Sequence, residues 1–222
     1  MPARRSRLAT TPSQESGDPM VTVGSWFLRT KRVLDVAICI LAAPFLLVAL
    51  VLCAIAIRLD SPGPVLFTQQ RTGRHGVRFS MYKFRTMVHN AEELKSSLQH
   101  LNILPPPDFK IPNDPRITRV GRILRKTSLD ELPQILNVLR GEMSLVGPRP
   151  TSFHASTYSL WHSQRLEVTP GITGLWQVGG RNELTFDERN RLDAAYLRNM
   201  SIRQDLKIML LTVGSVVRRS GH

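Results

Sequence analysis

The longest apolar pattern in the chain lies near its N-terminus. Residues 36–57 read VAICILAAPFLLVALVLCAIAI and carry no charged side chain, so this segment is long enough to cross a bilayer as a helix. A buried core helix is rarely apolar over such a length, and a cleaved signal peptide is shorter and has a less extended preceding region. The pattern therefore predicts that the protein is integral to a membrane.

The polar flanks of this segment bear on how it sits in the membrane. Basic residues lie on both sides of it, namely Arg29, Lys31, Arg32, Arg58, Arg71, Arg74 and Arg78. Because positive flanks tend to stay cytoplasmic, a simple span would place one of them on the wrong side. Pro44, near the middle, removes a helical hydrogen bond and favours a bend. A re-entrant helix over residues 29–59 is the favoured arrangement, and a straight span stays open.

Shorter patterns beyond the membrane segment predict a mixed domain over residues 60–222. Residues 65–70 and 78–84 have strand composition and enclose the turn sequence TGRHG, which predicts a hairpin. A further short strand is expected at residues 175–178. Helical periodicity and helix end signals predict helices at residues 90–101, 116–126, 128–140, 153–168, 186–199 and 203–219. The fold class is therefore α/β and mainly helical, a compact cytoplasmic domain on an N-terminal re-entrant membrane helix.

The two ends of the chain differ in character. Residues 1–28 are rich in Ser, Thr, Pro and Arg, which predicts a disordered basic leader. The last helix has a broad apolar face and basic residues near both ends, as expected for an amphipathic helix at an interface with anionic lipid. A core helix with solvated ends would give the same pattern, and both interpretations stay open.

Composition narrows the classes of partner. The net charge is +13, from 30 Lys and Arg against 17 Asp and Glu, which points to nucleic acid, anionic lipid or a phosphorylated substrate. Aromatic residues are only 6% of the chain and the basic residues sit in turns beside acids, so nucleic-acid binding is not expected. Cys39 and Cys53 read as apolar residues, and the six histidines are scattered, so neither a disulfide framework nor a zinc site is indicated.

The stretch TSLDELPQ, residues 127–134, places two adjacent acids at a predicted helix start. Ser128 and Glu131 fit a capping box, and acids in a first turn complement the helix dipole. That structural interpretation is compatible with a catalytic one, because a helix start also attracts anionic ligands. Asp130 and Glu131 near a bound phosphate would require a divalent cation, for which oxygen ligands and substrate phosphates suit Mg²⁺.

Basic side chains interleave with turns around this stretch. They lie in the segments YKFRTM, DPRITRVGR with the following Arg125 and Lys126, and VGPRP. Prolines on both sides of Arg149 fix its backbone and preorganise a guanidinium for phosphate or carboxylate. Together with the acids they favour phosphoryl-type transfer, with an aspartate that holds metal or attacks phosphorus. The chain has neither a P-loop sequence nor GxGxxG, so no ATP-type or dinucleotide site is indicated.

The succession of motifs resembles a known family. KRVLDVAICILAAPFLLVAL, SPGPVLFTQQRTG, YKFRTM, TSLDELPQILNVLRGEMSLVGPRP and VTPGITGLWQVGGRN occur in order over about residues 30–220. They are similar to the bacterial sugar transferases, which are polyisoprenyl-phosphate hexose-1-phosphate transferases, also called monotopic phosphoglycosyl transferases. The chain resembles the catalytic core of this family without the extra membrane-spanning region of its larger members.

This resemblance implies an activity. Family members transfer a sugar-1-phosphate from a UDP-sugar to undecaprenyl phosphate at the bacterial inner membrane, which initiates exopolysaccharide, O-antigen or glycan assembly. By this likeness the domain at residues 60–222 is catalytic and faces the cytoplasm, the cofactor is Mg²⁺, and a homodimer is a further expectation. The family also has a re-entrant helix broken by a proline, here Pro44. Where its smaller members often have a polar residue before that proline, this chain has Ala43.

The resemblance also assigns roles to residues. Asp130 would attack the sugar-bearing phosphate to form a phosphosugar-aspartyl enzyme, and Glu131 would assist with metal or proton handling, so that both acids are the expected metal ligands. The expected substrate contacts are Arg125, Arg149, Lys83, Arg85, Gln177, Arg181 and Asn182. A non-catalytic membrane scaffold would explain the apolar segment but not the acid pair beside Arg149. No residue discriminates among donor sugars.

Overall fold

A computed structural model describes residues 24–103, 111–157, 163–179 and 184–217. Its first element is helix α1, Ser25–Asp60, which contains Pro44 and begins before the expected boundary at residue 29. Among the described residues, α1 alone is long and apolar enough to cross a membrane; its most apolar window has a mean hydropathy of 3.0, and only 11% of it is buried. A core helix would be mostly buried, so this exposure favours an element embedded in a membrane. The expected leader was residues 1–28: positions 1–23 lie outside the described residues, and positions 25–28 belong to α1.

Two parts of α1 pack against the rest of the protein, and the apolar stretch between them is exposed. Cys39 joins a buried cluster formed with Phe79, Met81, Val138 and Met143. Cys53 and Ile57 join another with Phe84 and Leu124. Between these contacts the large apolar side chains point outward, among them Ile40, Leu41, Phe45, Leu47, Val48 and Leu52. One and the same body therefore contacts α1 on both sides of its exposed apolar stretch.

Buried polar contacts reinforce the N-terminal end of α1. Lys31 Nζ lies 2.6 Å from Asp205 Oδ2, and the Tyr196 hydroxyl donates to the other oxygen of that carboxylate at 2.8 Å. The Ser144 hydroxyl donates to Asp35 Oδ2 at 2.7 Å. Charges taken out of water need such partners. These contacts tie α1 to elements more than one hundred residues away in sequence.

The predicted hairpin is confirmed. Strands β1, Leu66–Thr72, and β2, Arg78–Phe84, are antiparallel, with Thr68 opposite Tyr82. Phe79, Met81 and Phe84 are buried, so β2 is fixed against the core. This strand carries Lys83 toward the predicted acid pair.

The central segment turns sharply between short elements. Helix α2, Arg119–Thr127, begins where the Thr118 hydroxyl accepts from the Gly121 amide at 2.9 Å. A 3₁₀ helix, Leu129–Gln134, leads into helix α3, Ile135–Arg140. Strands β3, Ser144–Val146, and β4, Gly171–Thr173, then pair in parallel. The acid pair thus lies in a 3₁₀ helix and not in the first turn of a long α-helix.

Three helices close the described chain: α4, Leu175–Gly179, α5, Phe186–Arg198, and α6, Ile202–Val217. The predictions for α5 and α6 are confirmed within a few residues. Val146, Val168, Tyr196, Leu197 and Ile208 form the buried cluster beneath them. The fold is mainly helical, as predicted, and the described residues also form two small sheets, of which only the hairpin was expected.

Three local predictions are wrong. Residues 90–101 form the 3₁₀ turns Glu93–Lys95 and Gln99–Leu101 instead of one helix, because Leu94 and Leu101 are exposed and no packed apolar face supports a longer helix. Residues 153–168 contain the turns Ala155–Thr157 and Gln164–Glu167, and positions 158–162 lie outside the described residues. The strand expected at 175–178 is α4; the strand is the preceding β4, because β3 offers it a parallel partner.

Candidate active site

The acid pair follows a reversal of the chain at Ser128. This residue ends α2 with a left-handed backbone, φ 58°. The predicted capping box is absent: the Ser128 side chain makes no capping bond, and the only link is from the Glu131 amide to the Ser128 carbonyl at 3.2 Å. The Glu131 side chain turns instead toward two cations, which hydrogen-bond a carboxylate more strongly than a neutral amide does.

Glu131 lies between Lys83 and Arg149. Lys83 Nζ is 3.0 Å from Oε1, Arg149 Nη1 is 3.0 Å from Oε2, and Arg149 Nη2 also contacts Oε1. Burial alone would raise the pKa of Glu131, but the two cations and their hydrogen bonds hold it well below its usual range. The carboxylate is therefore ionised at neutral pH and neutralises two charges inside the site.

Asp130 is in a different environment from its neighbour. It is half-buried and makes no hydrogen bond or salt bridge to any residue that the structure describes. Burial raises the pKa of Asp130 and the charge of Glu131 adds to this, while Lys83, Arg125 and Arg149 act in the opposite direction. Two adjacent carboxylates with environments that push their pKa values apart are suited to different roles.

Arg149 is held by a close approach of two backbone segments. The Gly147 amide donates to the Thr173 carbonyl at 2.9 Å, and the Gly171 amide donates to the Pro148 carbonyl at 2.9 Å. A Cβ at Gly171 would lie 2.1 Å from the Gly147 nitrogen, so only glycine fits there. The PGITG segment therefore supports the VGPRP loop and fixes the position of Arg149.

Arg125 is placed by contact between α2 and the residues after β2. Its Nε donates to the Thr86 hydroxyl at 2.8 Å, and a Cβ at Gly121 would lie 2.1 Å from the Thr86 carbonyl oxygen. Burial lowers the pKa of Arg125, opposed mainly by the charge of Asp130. The structure thus brings Lys83, Arg125 and Arg149 around the acid pair.

The remaining predicted contacts lie elsewhere or outside the described residues. Arg85 is buried and donates to the carbonyls of Ser61, at 2.8 Å, and Pro62. It would share a face with Lys83 in a longer strand, but β2 ends before it, so it stabilises the turn after α1. The Gln177 amide donates to the Ile172 carbonyl at 2.9 Å, at the junction of β4 and α4. Positions 181 and 182, the expected Arg181 and Asn182 contacts, are outside the described residues.

A buried asparagine that the sequence interpretation missed sets the spacing of the site. Asn137 in α3 is 0% exposed; it accepts from the Tyr82 amide at 3.0 Å and donates to the Ser80 carbonyl at 2.8 Å. These bonds join α3 to β2 and hold Lys83 at a fixed distance from the 3₁₀ helix. The available signal was one polar residue inside the apolar stripe ILNVL.

The described residues contain no group of three or more His, Cys, Asp or Glu that could hold a metal ion. Mg²⁺ in phosphate chemistry is commonly held by one or two carboxylates together with substrate phosphates and water. The unpaired carboxylate of Asp130 fits such a set. Glu131 fits it only after release from Lys83 or Arg149, since both of its oxygens hold cations.

Comparison with known proteins shows the family of this chain. A family model described as "Bacterial sugar transferase" matches residues 26–219, which is nearly the whole described chain, including α1, both sheets and the acid pair. The chain belongs to the bacterial sugar transferase family.

Several curated relatives are similar to it. A galactosyl transferase, CpsE of Streptococcus agalactiae, is 45% identical over 87% of this chain and 43% of its own length. An undecaprenyl-phosphate galactose phosphotransferase of Salmonella typhimurium is 49% identical over 72% of this chain and 34% of its own length. A UDP-glucose:undecaprenyl-phosphate glucose-1-phosphate transferase of Caulobacter vibrioides is 43% identical over 84% of this chain and 69% of its own length. The chain thus spans less than half the length of the first two.

Proposed function

We propose that the protein transfers a sugar-1-phosphate from a UDP-sugar to undecaprenyl phosphate and releases UMP. The observation that carries the proposal is Asp130, a half-buried carboxylate without a partner among the described residues. It lies beside three cations that could receive phosphate. The names of the Salmonella and Caulobacter relatives, a galactose phosphotransferase and a glucose-1-phosphate transferase that act on undecaprenyl phosphate, support the same reaction class.

Asp130 acts as the nucleophile in this reaction. Its carboxylate oxygen attacks the phosphorus that bears the sugar, the bond from that phosphorus to the bridging oxygen breaks, and UMP leaves with the electron pair. The product is a phosphosugar-aspartyl enzyme. An oxygen of undecaprenyl phosphate then attacks the same phosphorus, and Asp130 leaves as a free carboxylate. No proton has to be removed from the nucleophile when Asp130 is ionised.

The cations serve binding and charge stabilisation. Arg125, Lys83 and Arg149 surround the position where negative charge builds up on the transferred group, and preorganised cations in a half-buried site stabilise such charge. In the structure Glu131 forms salt bridges with both Lys83 and Arg149. An incoming phosphate therefore competes with Glu131 for these two side chains.

Mg²⁺ is the proposed cofactor. When bound, it would neutralise charge on the phosphates and make attack by an anion easier. Asp130 and Glu131 would supply its protein oxygens, Glu131 on giving up Lys83 or Arg149. Binding is tested without turnover: addition of Mg²⁺ should raise the thermal midpoint of the wild-type protein, and the rise should be lost in Glu131→Gln.

The arrangement of α1 supports a re-entrant membrane helix. Residues near both ends contact one body, Lys31 and Asp35 at one end and Cys53 with Ile57 at the other, while Phe45 between them is 81% exposed. A straight span would separate these contacts by the thickness of the bilayer. In the proposed topology the domain lies on the cytoplasmic face of the inner membrane, against anionic lipid, where a polyprenyl phosphate presents its head group.

The reaction is tested by UMP release from purified protein with undecaprenyl phosphate, Mg²⁺, and UDP-glucose, UDP-galactose or an N-acetylated UDP-sugar in turn. Release that depends on one donor and disappears in Asp130→Asn supports the proposal and names the sugar. Asp187→Asn, at an exposed carboxylate in the first turn of α5, is the matched control and should keep activity. Absence of release with every donor would overturn the proposal. A confirmed donor would place the enzyme at the start of exopolysaccharide, O-antigen or glycan assembly.

A further inference from the structure

A buried arginine lies behind the active-site loop. Arg165, in the turn Gln164–Glu167, is 7% exposed. Its Nη2 donates to the backbone carbonyl of Arg149 at 2.5 Å and lies 2.8 Å from Asp193 Oδ2, and its Nη1 donates to Asn190 Oδ1 at 3.2 Å. One guanidinium therefore connects helix α5 to the loop that carries Arg149.

Burying the ion pair between Arg165 and Asp193 costs desolvation free energy. Asp193 is 1% exposed, and burial raises its pKa to about 6 even though the charge of Arg165 opposes the shift. A buried ion pair of this kind is weak evidence for a stabilising role, because desolvation can exceed the attraction between the charges. The role of this ion pair therefore lies in the geometry that it imposes on the residues it contacts.

The contact falls where the loop is most constrained. The carbonyl that Arg165 binds lies between Pro148 and Pro150, and a residue before proline is restricted to extended backbone. With that carbonyl fixed by Arg165, the remaining freedom of Arg149 is in its side chain. That side chain ends at the carboxylate of Glu131, with Nη1 3.0 Å from Oε2.

We propose that Arg165, oriented by Asp193 and Asn190, is a positioning residue for the transfer reaction: it fixes the Arg149 carbonyl and thereby holds the Arg149 guanidinium at the phosphate site. This inference rests on the proposed function. It extends the site from the loops around the acid pair to Asn190 and Asp193 in helix α5.

The test is a double-substitution cycle in the full-length protein. Arg165→Met and Arg149→Lys are made singly and together, and kcat and KM for UMP release are measured with the donor that the wild type uses. If turnover by the double variant is too slow to follow, Kd for UDP, measured by calorimetry, is compared across the wild type and the three variants instead. Arg165→Met should lower kcat/KM by roughly 10- to 100-fold, the usual effect of a misplaced active-site group. In the Arg149→Lys background it should cause little further loss in activity or UDP affinity.

Two further variants separate positioning from stability. Arg165→Lys keeps a charge for Asp193 but lacks the planar guanidinium fork that reaches the Arg149 carbonyl and Asn190 at the same time. It should therefore retain most of the wild-type thermal midpoint and still lose activity. Arg116→Met breaks the buried pair with Asp114, 2.6 Å apart, away from Arg149, and its effect on activity should multiply with that of Arg149→Lys.

The outcomes distinguish this inference from the proposed function. An inactive wild type would overturn the proposed function itself. An active wild type in which the effects of Arg165→Met and Arg149→Lys multiply, or in which Arg165→Lys is as active as the wild type, would overturn the positioning role of Arg165.

Discussion

Arg149 binds both carboxylate oxygens of Glu131: its Nη1 lies 3.0 Å from Oε2, and its Nη2 contacts Oε1. Two parallel bonds between a guanidinium and a carboxylate give both strength and a fixed orientation. The same bidentate geometry suits a phosphate. Glu131 thus fixes the orientation of the Arg149 guanidinium. The adjacent Asp130 is left without a competing partner among the described residues.

The two carboxylates should respond oppositely to neutralisation. Burial raises the pKa of Asp130, so its surroundings disfavour the ionised form, whereas Arg149 and Lys83 overcome burial at Glu131 and lower its pKa. Asp130→Asn should therefore keep or raise the thermal midpoint at neutral pH. Glu131→Gln should lower stability by about 3 kcal/mol, as expected when one partner of a buried ion pair is removed. Thermal unfolding of the two variants in one detergent checks this, and equal losses would contradict it.

The contribution of Glu131 also has a defined pH dependence. The pKa of its carboxyl in the folded protein is lower than the ordinary value of 4.5, so the stabilisation is fully present above that value and declines as the pH falls below it. The difference in stability between wild type and Glu131→Gln should be constant from neutral pH down to about 5 and shrink under more acid conditions. Denaturant unfolding of both proteins at several pH values measures it. A difference that already shrinks between pH 7 and about 5 would contradict the prediction.

Lys83 should set the acid limit of activity. Burial raises the pKa of Asp130, and Lys83 is the strongest influence that lowers it. Because Asp130 must be ionised to act as the proposed nucleophile, activity should be lost as the pH falls through the pKa of Asp130. Lys83→Met should move this limb of the kcat/KM profile to higher pH. The control is Arg85→Met. Arg85 interacts electrostatically with Arg58 and Asp60 and not with Asp130, so the acid limb of the kcat/KM profile of this variant should coincide with that of the wild type.

Local patterns predicted the elements that depend on local forces. The uninterrupted apolar run gives α1, and the two strand-like runs around a glycine-containing turn give the hairpin β1–β2. Residue types and the neighbouring prolines predict that the acid pair and Arg149 lie in one site, and the structure brings Arg149 and Glu131 into contact. The sequence does not distinguish Lys83 from Arg85, because both are basic and two positions apart. In the structure β2 ends between them, so Lys83 contacts Glu131 and Arg85 contacts the turn after α1.

Nonlocal contacts explain what the sequence did not reveal. The segment SLVGPRP reads as a loop, and Ser144–Val146 becomes a strand only because Gly171–Thr173 lies beside it. A capping box is chemically reasonable for Ser128 and Glu131. The Glu131 carboxylate instead binds Lys83 from β2 and Arg149 from the VGPRP loop, which are distant in sequence. Arg165 and Asn137 carry no motif, and their roles follow from burial and from partners distant in the chain.

Gly171 should tolerate no side chain. A Cβ there would lie 2.1 Å from the Gly147 nitrogen and 2.5 Å from the Thr173 carbonyl oxygen. Both are backbone atoms, so relieving the clash would require the paired backbone segments to move apart. Gly171→Ala should cost about 3 kcal/mol of stability and lower activity further by displacing Arg149. Gly214→Ala, with no atom within 4 Å of the added Cβ in helix α6, is the control and should leave the thermal midpoint unchanged or raise it. Equal midpoints for the two variants would show that the loops separate easily.

Both ends of α1 should be accessible from one side of the membrane. Trp26 and Leu59 are exposed at opposite ends of the helix, and both ends contact the same body. In a background with Cys39→Ala and Cys53→Ala, single cysteines at these two positions should react with a membrane-impermeant maleimide only in inverted vesicles. A cysteine in place of the exposed Phe45 should be protected in both orientations, because the re-entrant bend would lie within the hydrocarbon. Labelling of one end from the outside and the other from the inside would establish a straight span, and the shared body would then require a different placement relative to the membrane.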